Sequence, residues 1–463
     1  MNIIVIIADT FRRDYMGVYG GWAKTPHLDA LASESVRFTN FFAASYPTGP
    51  NRKDFHTGRF TFTYHSWGSR WQPVDTLIAE MLRREKYATA IIGDTICNPA
   101  FDLRFQYAEF ILGQGPRRLH PLDMELPLPA DERKLRTPRI RLQAILENET
   151  LWKGEEDHFC AQTMRAAHRW IENFGRRNQP FFLVVDTFDP HEPWDPPRYY
   201  IDRYDPDYEG DELFEPAYEP AGYATPREIQ HMRAMYAGEV SFVDRWIGYL
   251  LEGVKQMDLW DETAIIFTTD HGFYHGEHGL IGKVHLDRDG TIIRRYALYD
   301  TLIRIPLIIK APEAKPNSVC NALCQTPDLT PTILELAGVK VPETMQGKSL
   351  LPLLRNETEG FRDAVISSYT YLQDRDVRAP TTFRTKDWLY IYGGDEWKCE
   401  LYDLRRDPDQ TRNVFDDNLD VAKDLHEEYL NFLAAIDCPP DCLEGRREFP
   451  PRIRANLPRR RIL

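Results

Sequence analysis

Residues 2–8 (NIIVIIA) form a continuous, mostly β-branched apolar run that stops at Asp9. A run without polar alternation predicts a strand covered on both faces, as in a parallel sheet, and its first polar residue marks the carboxyl end. The same shape recurs at 88–92 before Gly93-Asp94-Thr95, at 181–185 before Asp186, and at 264–267 before Thr268-Thr269-Asp270-His271. Between these runs, 27–35, 74–86, 158–174 and 227–254 place apolar residues at helical spacing. Alternating strands and helices predict an α/β fold with a large, doubly wound, mostly parallel sheet flanked by helices. Ligands in such folds sit beyond the carboxyl ends of the strands. After Leu354 the pattern shortens to strands at 364–368, 381–383, 388–392 and 399–402, then a helix over 419–436. The expected organisation is a large α/β domain over 1–360, a small antiparallel-sheet α+β subdomain with a C-terminal helix over 361–445, and a basic tail over 446–463. Residues 114–153, rich in Pro, Arg and Glu, read as an excursion over the surface near the site or as a partner-binding arm.

Composition narrows the class. At 463 residues, with 42% hydrophobic and 28% charged, the chain is neither disordered nor fibrous. Lys plus Arg number 57 against 71 Asp plus Glu, a net charge of −14, which argues against a whole-protein fit to nucleic acid or an anionic membrane. An anionic substrate would need a local cluster of cations. No apolar run is long enough to span a bilayer, and the opening run meets acid too early for a signal peptide, so the expected compartment is the cytoplasm. Seven scattered cysteines lack zinc-knuckle spacing and read as thiols. The tail carries seven Arg and one Glu, and suggests an arm that clasps a second subunit of a homo-oligomer.

Asp9, Asp270 and His271 all follow strand ends, so they can converge as a divalent-metal site or serve separately as helix caps. Thr10 and Asp14 read as local caps, and Gly272 as the residue that lets the backbone turn. In the segment 45–59, SYPTGPNRKDFHTGR, prolines and a glycine fix a bend before a helix opening near Asn51. The free N–H groups of that helix would face whatever lies over Thr48. Thr48 beside Arg52 reads either as a nucleophile facing an anion or as an N-capping threonine.

Six segments occur in order: DTFRRDYMGVYG, TPHLDALASESVRFTNFFA, PTGPNRKDFHTGR, DPHEPW, TTDHGFYHGEHGLIGK and LYDTLIRIPLIIKAP. Together they resemble the sulfatase family of the alkaline phosphatase superfamily. TPDLTPTILELAGVKVPETMQGKSLLPLL and ELYDLRRDPDQTRNV are similar to the family's later segments, and the likeness is weakest over 100–160. The resemblance implies one divalent metal ion held by Asp9, Asp270, His271 and the Thr48 hydroxyl, with Arg52, His191 and Lys283 as the cationic partners of an anionic ester. On sequence alone His191 reads as a loop histidine and Lys283 as a solvated side chain. Thr10 stands where many sulfatases carry a second Asp. With His271 as a ligand, this opens manganese or zinc beside calcium.

Two departures shape the expected chemistry. The family signature begins with a Cys or Ser that is oxidised to formylglycine, but this chain reads Thr48-Gly49-Pro50-Asn51-Arg52, and threonine cannot form that aldehyde. Gly93-Asp94-Thr95-Ile96 replaces a Gly-Lys-Trp-His segment that helps bind sulfate. The lost Lys and His resemble phosphonate monoester and phosphodiester hydrolases, and a Thr nucleophile resembles the nucleotide pyrophosphatase branch. The second set of zinc ligands used by that branch is not found. Three readings follow: a hydrolase of phosphodiesters or phosphonate monoesters through Thr48, with His191 as general acid; a sulfuric ester hydrolase that works without formylglycine; and a non-catalytic member that binds a metal or an anion. Tyr46, Trp67, Trp71, Trp194 and Tyr274 lie near the motifs and suit stacking on a sugar or aryl ring, or core packing.

Overall fold

The computed structural model describes residues 1–95, 104–111, 125–174, 179–372, 378–451, 453 and 460–461. Its main sheet runs in the order Ser318–Cys320, Val36–Phe42, Arg304–Lys310, Thr263–Thr268, Asn2–Ala8, Phe181–Thr187, Ala88–Gly93, Tyr107–Phe110, with Cys324–Gln325 also paired to Val36–Phe42. Arg304–Lys310 is antiparallel to both neighbours and the other described pairings are parallel. This is the α/β architecture that the apolar runs predict.

The first strand shows why its sequence has no polar alternation. Ile4, Ile6 and Ala8 face a core built with the helices Phe159–Phe174 and Pro226–Gln256, whereas Ile3, Val5 and Ile7 face a core built with Ile78–Arg84 and Leu329–Leu336. Both faces are sealed, so every position must be apolar. The polar residues that follow each strand are thereby confined to one rim.

Element limits shift where side chains compete with the helix. The helix expected over 74–86 starts only at Ile78, because the Asp75 carboxylate accepts from the Gln72 N–H and meets His65 Nε2, forming a turn. The helix expected to open near Asn51 opens at Thr48. Residues 112–124 lie outside the described residues. The rest of the 114–153 segment is no surface excursion: it holds a helix, Arg139–Glu149, and buries Leu135 and Leu142 in the main core. Six cysteines are free thiols, and Cys97 is outside the described residues.

The second sheet orders Glu400–Asp403, Trp388–Tyr392, Thr381–Thr385, Ala364–Tyr369 and Ser45–Tyr46. Its last strand, from early in the chain, pairs parallel with Ala364–Tyr369 through Ser45↔Ser368 and Tyr46↔Tyr369. The early and late parts of the chain therefore share a sheet immediately before Thr48. The helix Leu419–Ala435 covers it through Ala422, Leu425, Tyr429 and Leu433. The described tail packs on its own chain, with Arg446 over the Tyr371 ring and Arg460–Arg461 paired to Thr291–Ile292. Among the described residues no helix is long and apolar enough to cross a membrane.

Asp54 ties the ends of the Thr48 segment together. Its carboxylate accepts from the Ser45 N–H at 2.7 Å, the Ser45 hydroxyl at 2.7 Å, the Thr61 N–H at 2.8 Å and the Thr61 hydroxyl at 2.7 Å. Asp54→Ala leaves the buried Ser45 and Thr61 N–H groups unpaired, at about 1–3 kcal/mol each before relaxation, while the two hydroxyls keep each other and the Pro50 carbonyl as partners. The expected loss is about 3 kcal/mol or more, read from urea unfolding. A loss below about 1 kcal/mol would show that the segment is held by other contacts.

Candidate active site

Three neighbouring strands, Thr263–Thr268, Asn2–Ala8 and Phe181–Thr187, each deliver an aspartate to the same rim: Asp270, Asp9 and Asp186. All three are buried. Arg52 reaches them from the helix Thr48–Thr57 and is itself 1% exposed. Its Nε and one Nη2 hydrogen donate to the two Asp186 oxygens, both at 2.8 Å. Nη1 donates to Asp270 at 2.6 Å and Nη2 to Asp9 at 3.1 Å. Thr48 and Arg52 are four residues apart and so share one helix face, which sets the hydroxyl beside the guanidinium cluster. The position of Asp186 at the end of an apolar run was the same signal that singled out Asp9, yet sequence reasoning did not place it in the site.

Asp9 and Asp270 are held differently. Asp270 accepts from the N–H groups of Thr10 at 2.9 Å and His271 at 2.8 Å. Burial alone would raise its pKa, but His271, Arg52 and the Thr10 N–H together hold it below the usual carboxylate range. Asp9 is pushed up to about 8, first by burial and then by the Asp270 charge beside it. Thr10, expected to be a cap, takes a left-handed backbone with φ of 62° and turns its hydroxyl onto Asp9 at 2.7 Å. Asp14 instead pairs with Arg12. Gly272 is needed for close approach rather than for turning, since a Cβ there would lie 2.0 Å from the Thr301 carbonyl oxygen.

Thr48 is the first residue of its helix and is 3% exposed. His271 Nδ1 lies 2.8 Å from the Gly272 carbonyl oxygen, which can only accept, so the ring proton sits on Nδ1. Burial lowers the His271 pKa to about 3, leaving the ring neutral with the Nε2 lone pair facing outward. The Thr48 hydroxyl donates to that lone pair at 3.0 Å. His191 follows the same logic: Nδ1–H donates to the Glu192 carbonyl at 2.7 Å, and Nε2 accepts from Lys283 Nζ at 2.8 Å. Burial first and Lys283 second keep His191 well below its ordinary pKa. Lys283 is also near enough for its charge to act on Asp9, Asp270 and His271. The structure thus brings together every residue singled out from sequence: Asp9, Thr48, Arg52, His191, Asp270, His271 and Lys283.

Other expectations change. Asp94 is fully buried and accepts from the Phe188 N–H at 2.6 Å, so it fixes backbone rather than facing an anion. Tyr46, Trp194 and Tyr274 are core residues, and Trp194 spends its N–H on the Pro190 carbonyl. They offer no ring to a ligand, whereas Trp67 and Trp71 are half-buried.

The donor set fits a divalent cation. One oxygen each from Asp9 and Asp270 and one nitrogen of His271 lie within 4.8 Å of one another. Arg52 alone does not offset Asp9, Asp186 and Asp270, and a divalent ion beside Asp9 and Asp270 would supply the charge that keeps Asp9 ionised. Asp9, Asp270, His271 and the Thr48 hydroxyl would hold the ion, whose charge would lower the hydroxyl pKa and polarise a bound ester.

Comparison with known proteins gives the class. The Sulfatase family model matches residues 1–339, and the model of the N-sulphoglucosamine sulphohydrolase C-terminal region matches residues 290–434. An N-acetylglucosamine-6-O-sulfatase of Bacteroides thetaiotaomicron is 28% identical over 89% of this chain and 82% of its own. The fold is shared with a phosphonate monoester hydrolase of Agrobacterium radiobacter, at TM-score 0.72 and 22% identity over 94% of this chain and 96% of that one. It is shared as well with an enzyme solved in complex with its substrate D-glucosamine-2-N,6-O-disulfate, at TM-score 0.71 and 24% identity over 95% and 99%. The protein is a hydrolase of ester bonds on a doubly wound α/β scaffold. It belongs to the sulfatase family, whose enzymes use a divalent metal.

Protein prepared with divalent salts is expected to bind one ion per chain, and Asp270→Asn to lose that ion while keeping its circular dichroism spectrum. Elemental analysis showing full occupancy in the variant would remove Asp270 from the ligand set.

Proposed function

We propose that this chain hydrolyses phosphodiesters or phosphonate monoesters, with Thr48 as the attacking nucleophile and one divalent ion as cofactor. The observation that carries the reading is the Thr48 hydroxyl at a helix start, set 3.0 Å from His271 Nε2 and so beside the donor atoms that would hold the ion. A threonine keeps its hydroxyl, since it cannot become the aldehyde that sulfatases use. The lone nitrogen among the oxygen donors favours manganese or zinc over calcium.

The residues divide the work. Thr48 gives up its hydroxyl proton to solvent, and its Oγ1 forms a bond to phosphorus as the bond to the leaving oxygen breaks opposite to it. Arg52 directs four of its five N–H groups to Asp9, Asp186 and Asp270 and the fifth to the Thr48 carbonyl oxygen at 3.4 Å, so it aligns the carboxylates instead of meeting the ester directly. The His191 tautomer changes the acid expected from sequence: Nε2 has no proton to give, and the proton-bearing group is Lys283, which His191 orients. Lys283 stabilises the departing oxygen and supplies its proton. Water then attacks phosphorus opposite the threonine oxygen, freeing the acid and regenerating the hydroxyl.

Sulfate ester hydrolysis is the second reading, supported by the family match and by relatives named as sulfatases. Matched sulfate, phosphodiester and phosphonate esters of one chromogenic alcohol separate the two. Protein made without any maturation enzyme is expected to be fully active, and to prefer the phosphorus esters. Thr48→Ala should abolish turnover while the metal is retained, and Thr48→Ser should keep much of it. Mass spectrometry of rapidly quenched enzyme should find a phosphoryl or phosphonyl group on the Thr48 peptide. Better turnover of sulfate esters throughout, or wild-type rates for Thr48→Ala, would overturn the reading.

Lys283→Ala is expected to slow esters of weakly acidic alcohols by about 10²–10⁴-fold, and esters of nitrophenols much less. A uniform loss across leaving groups would place Lys283 on the non-bridging oxygens instead.

A further inference from the structure

The Lys283–His191 pair adjoins a buried carboxylate to which the proposed reaction gives no part. Glu192, from the DPHEPW segment, directly follows His191 and is 1% exposed. Its Oε1 accepts from the Tyr218 hydroxyl and pairs with the Arg136 guanidinium at 3.2 Å. Its Oε2 accepts no hydrogen bond and lies 3.2 Å from His191 Nδ1. His191 Nδ1 therefore faces two oxygens of one residue, the Glu192 carbonyl at 2.7 Å and this carboxylate oxygen. Both repel a lone pair and attract a proton, so the ring proton stays on Nδ1 and Nε2 is left to accept from Lys283.

Arg136 comes from the 114–153 segment. Its fork serves two buried carboxylates: Nη1 pairs with Glu192 and Nη2 donates to Glu215 at 2.8 Å, while the guanidinium lies 4.7 Å from the centre of the Tyr218 ring. The backbone around it is pinned to the same neighbours, with the Arg136 N–H on the Glu215 carbonyl at 2.9 Å and the Ala217 N–H on the Lys134 carbonyl at 2.8 Å. Arg136 is also near enough for its charge to add to burial and Lys283 in keeping His191 neutral. Tyr218 reaches the other member of the pair. Gly282, with φ of 96°, has no room for a side chain, since a Cβ would lie 2.6 Å from the Tyr218 ring, and the Leu286 N–H donates to the Tyr218 carbonyl at 2.9 Å. The Lys283 carbonyl oxygen accepts from the Tyr46 hydroxyl at 3.1 Å and the Tyr369 hydroxyl at 3.3 Å. With the main chain of Lys283 anchored in this way, its ammonium takes its direction from His191, and His191 takes its own from Glu192.

We propose that Glu192 is a positioning residue for the proton donor of the reaction, and that Arg136 and Tyr218 hold it in place. The assignment rests on the reading that Lys283 protonates the leaving oxygen. Glu192 sets the His191 tautomer, His191 Nε2 aims Lys283, and Lys283 meets the departing oxygen. The 114–153 segment thereby supplies one link of the chain, Arg136. The arrangement makes a specific demand of position 192. Since Tyr218 and Arg136 both direct donors to Oε1, an amide at this position must keep its oxygen there and turn its NH2 towards His191 Nδ1. Two donors then face each other. Relief requires moving the ring proton to Nε2 or turning the ring, and either takes the acceptor away from Lys283.

Glu192→Gln, which keeps size and shape, is the test. With the esters used for Lys283→Ala, it is expected to slow those of weakly acidic alcohols roughly ten- to a hundredfold, a part of the roughly 10²–10⁴ that a positioned acid contributes, and those of nitrophenols much less. The loss should fall on kcat, with KM changed little. Combined with Lys283→Ala it should cause no further loss, because the group it positions is gone. Arg136→Met should reproduce the pattern, and Arg136→Lys should restore part of it, since one ammonium can pair with Glu192 but cannot span to Glu215 as the fork does. Nitrogen-15 NMR of the full chain labelled at histidine reads the tautomer without turnover. His191 is expected to carry its proton on Nδ1 in the wild type and to lose that single form in Glu192→Gln. This readout decides the positioning role even if no phosphorus or sulfur ester is cleaved and the proposed function fails. Equal losses for all leaving groups, full additivity with Lys283→Ala, or an unchanged His191 spectrum in Glu192→Gln would overturn the assignment. Should Glu192→Gln not fold, Arg136→Met carries the same comparisons.

Discussion

The arrangement depends on one buried ion cluster. Three aspartates at the ends of three adjacent strands cannot be packed together at full burial without positive charge, and Arg52 is the protein's own supply. A guanidinium is suited to this because its planar fork serves Asp186 with two bonds while its outer hydrogens reach Asp9 and Asp270. Removing one member of such a cluster typically costs about 3–5 kcal/mol, because the remaining charges lose their partner. Since Arg52 and Thr48 lie on one turn of one helix, the bonds that neutralise the carboxylates also fix where the hydroxyl stands.

The histidines illustrate how backbone carbonyls can decide side-chain chemistry. His271 and His191 each spend Nδ1–H on the carbonyl of their own neighbourhood, Gly272 and Glu192. Both therefore present a bare Nε2 to the site, one to Thr48 and the other to Lys283. Two imidazoles that look alike in sequence act as acceptors that orient proton-bearing partners. Deep burial keeps them neutral across the physiological range.

Much of this was legible in the chain. Apolar runs ending in Asp9, Asp186 and Asp270 gave the strand ends, because a sheet sealed on both faces leaves only its rims for polar residues. The helix start at Thr48 was three residues earlier than its prolines and glycine suggested. Asp94 read as a departure from a sulfate-binding segment, and only the fold shows it satisfied by the Phe188 N–H. What could not be read was the direction of side chains between elements distant in sequence. Nothing local in Tyr46, Trp194 or Tyr274 distinguishes a core ring from a ligand-facing one, and nothing in the 114–153 composition reveals that Leu142 anchors it in the core. Proton placement on His191 likewise depends on a carbonyl whose position is set by the turn at Asp189–Trp194.

The two-residue strand Ser45–Tyr46 has a consequence for how the molecule is made. Its partner, Ala364–Tyr369, leaves the ribosome roughly 15–60 s later at about 5–20 residues per second. During that interval the segment carrying Thr48 lacks the strand against which it docks. Synthesis thus imposes a delay on maturation: the reactive hydroxyl is translated early but is seated only when the last fifth of the chain arrives.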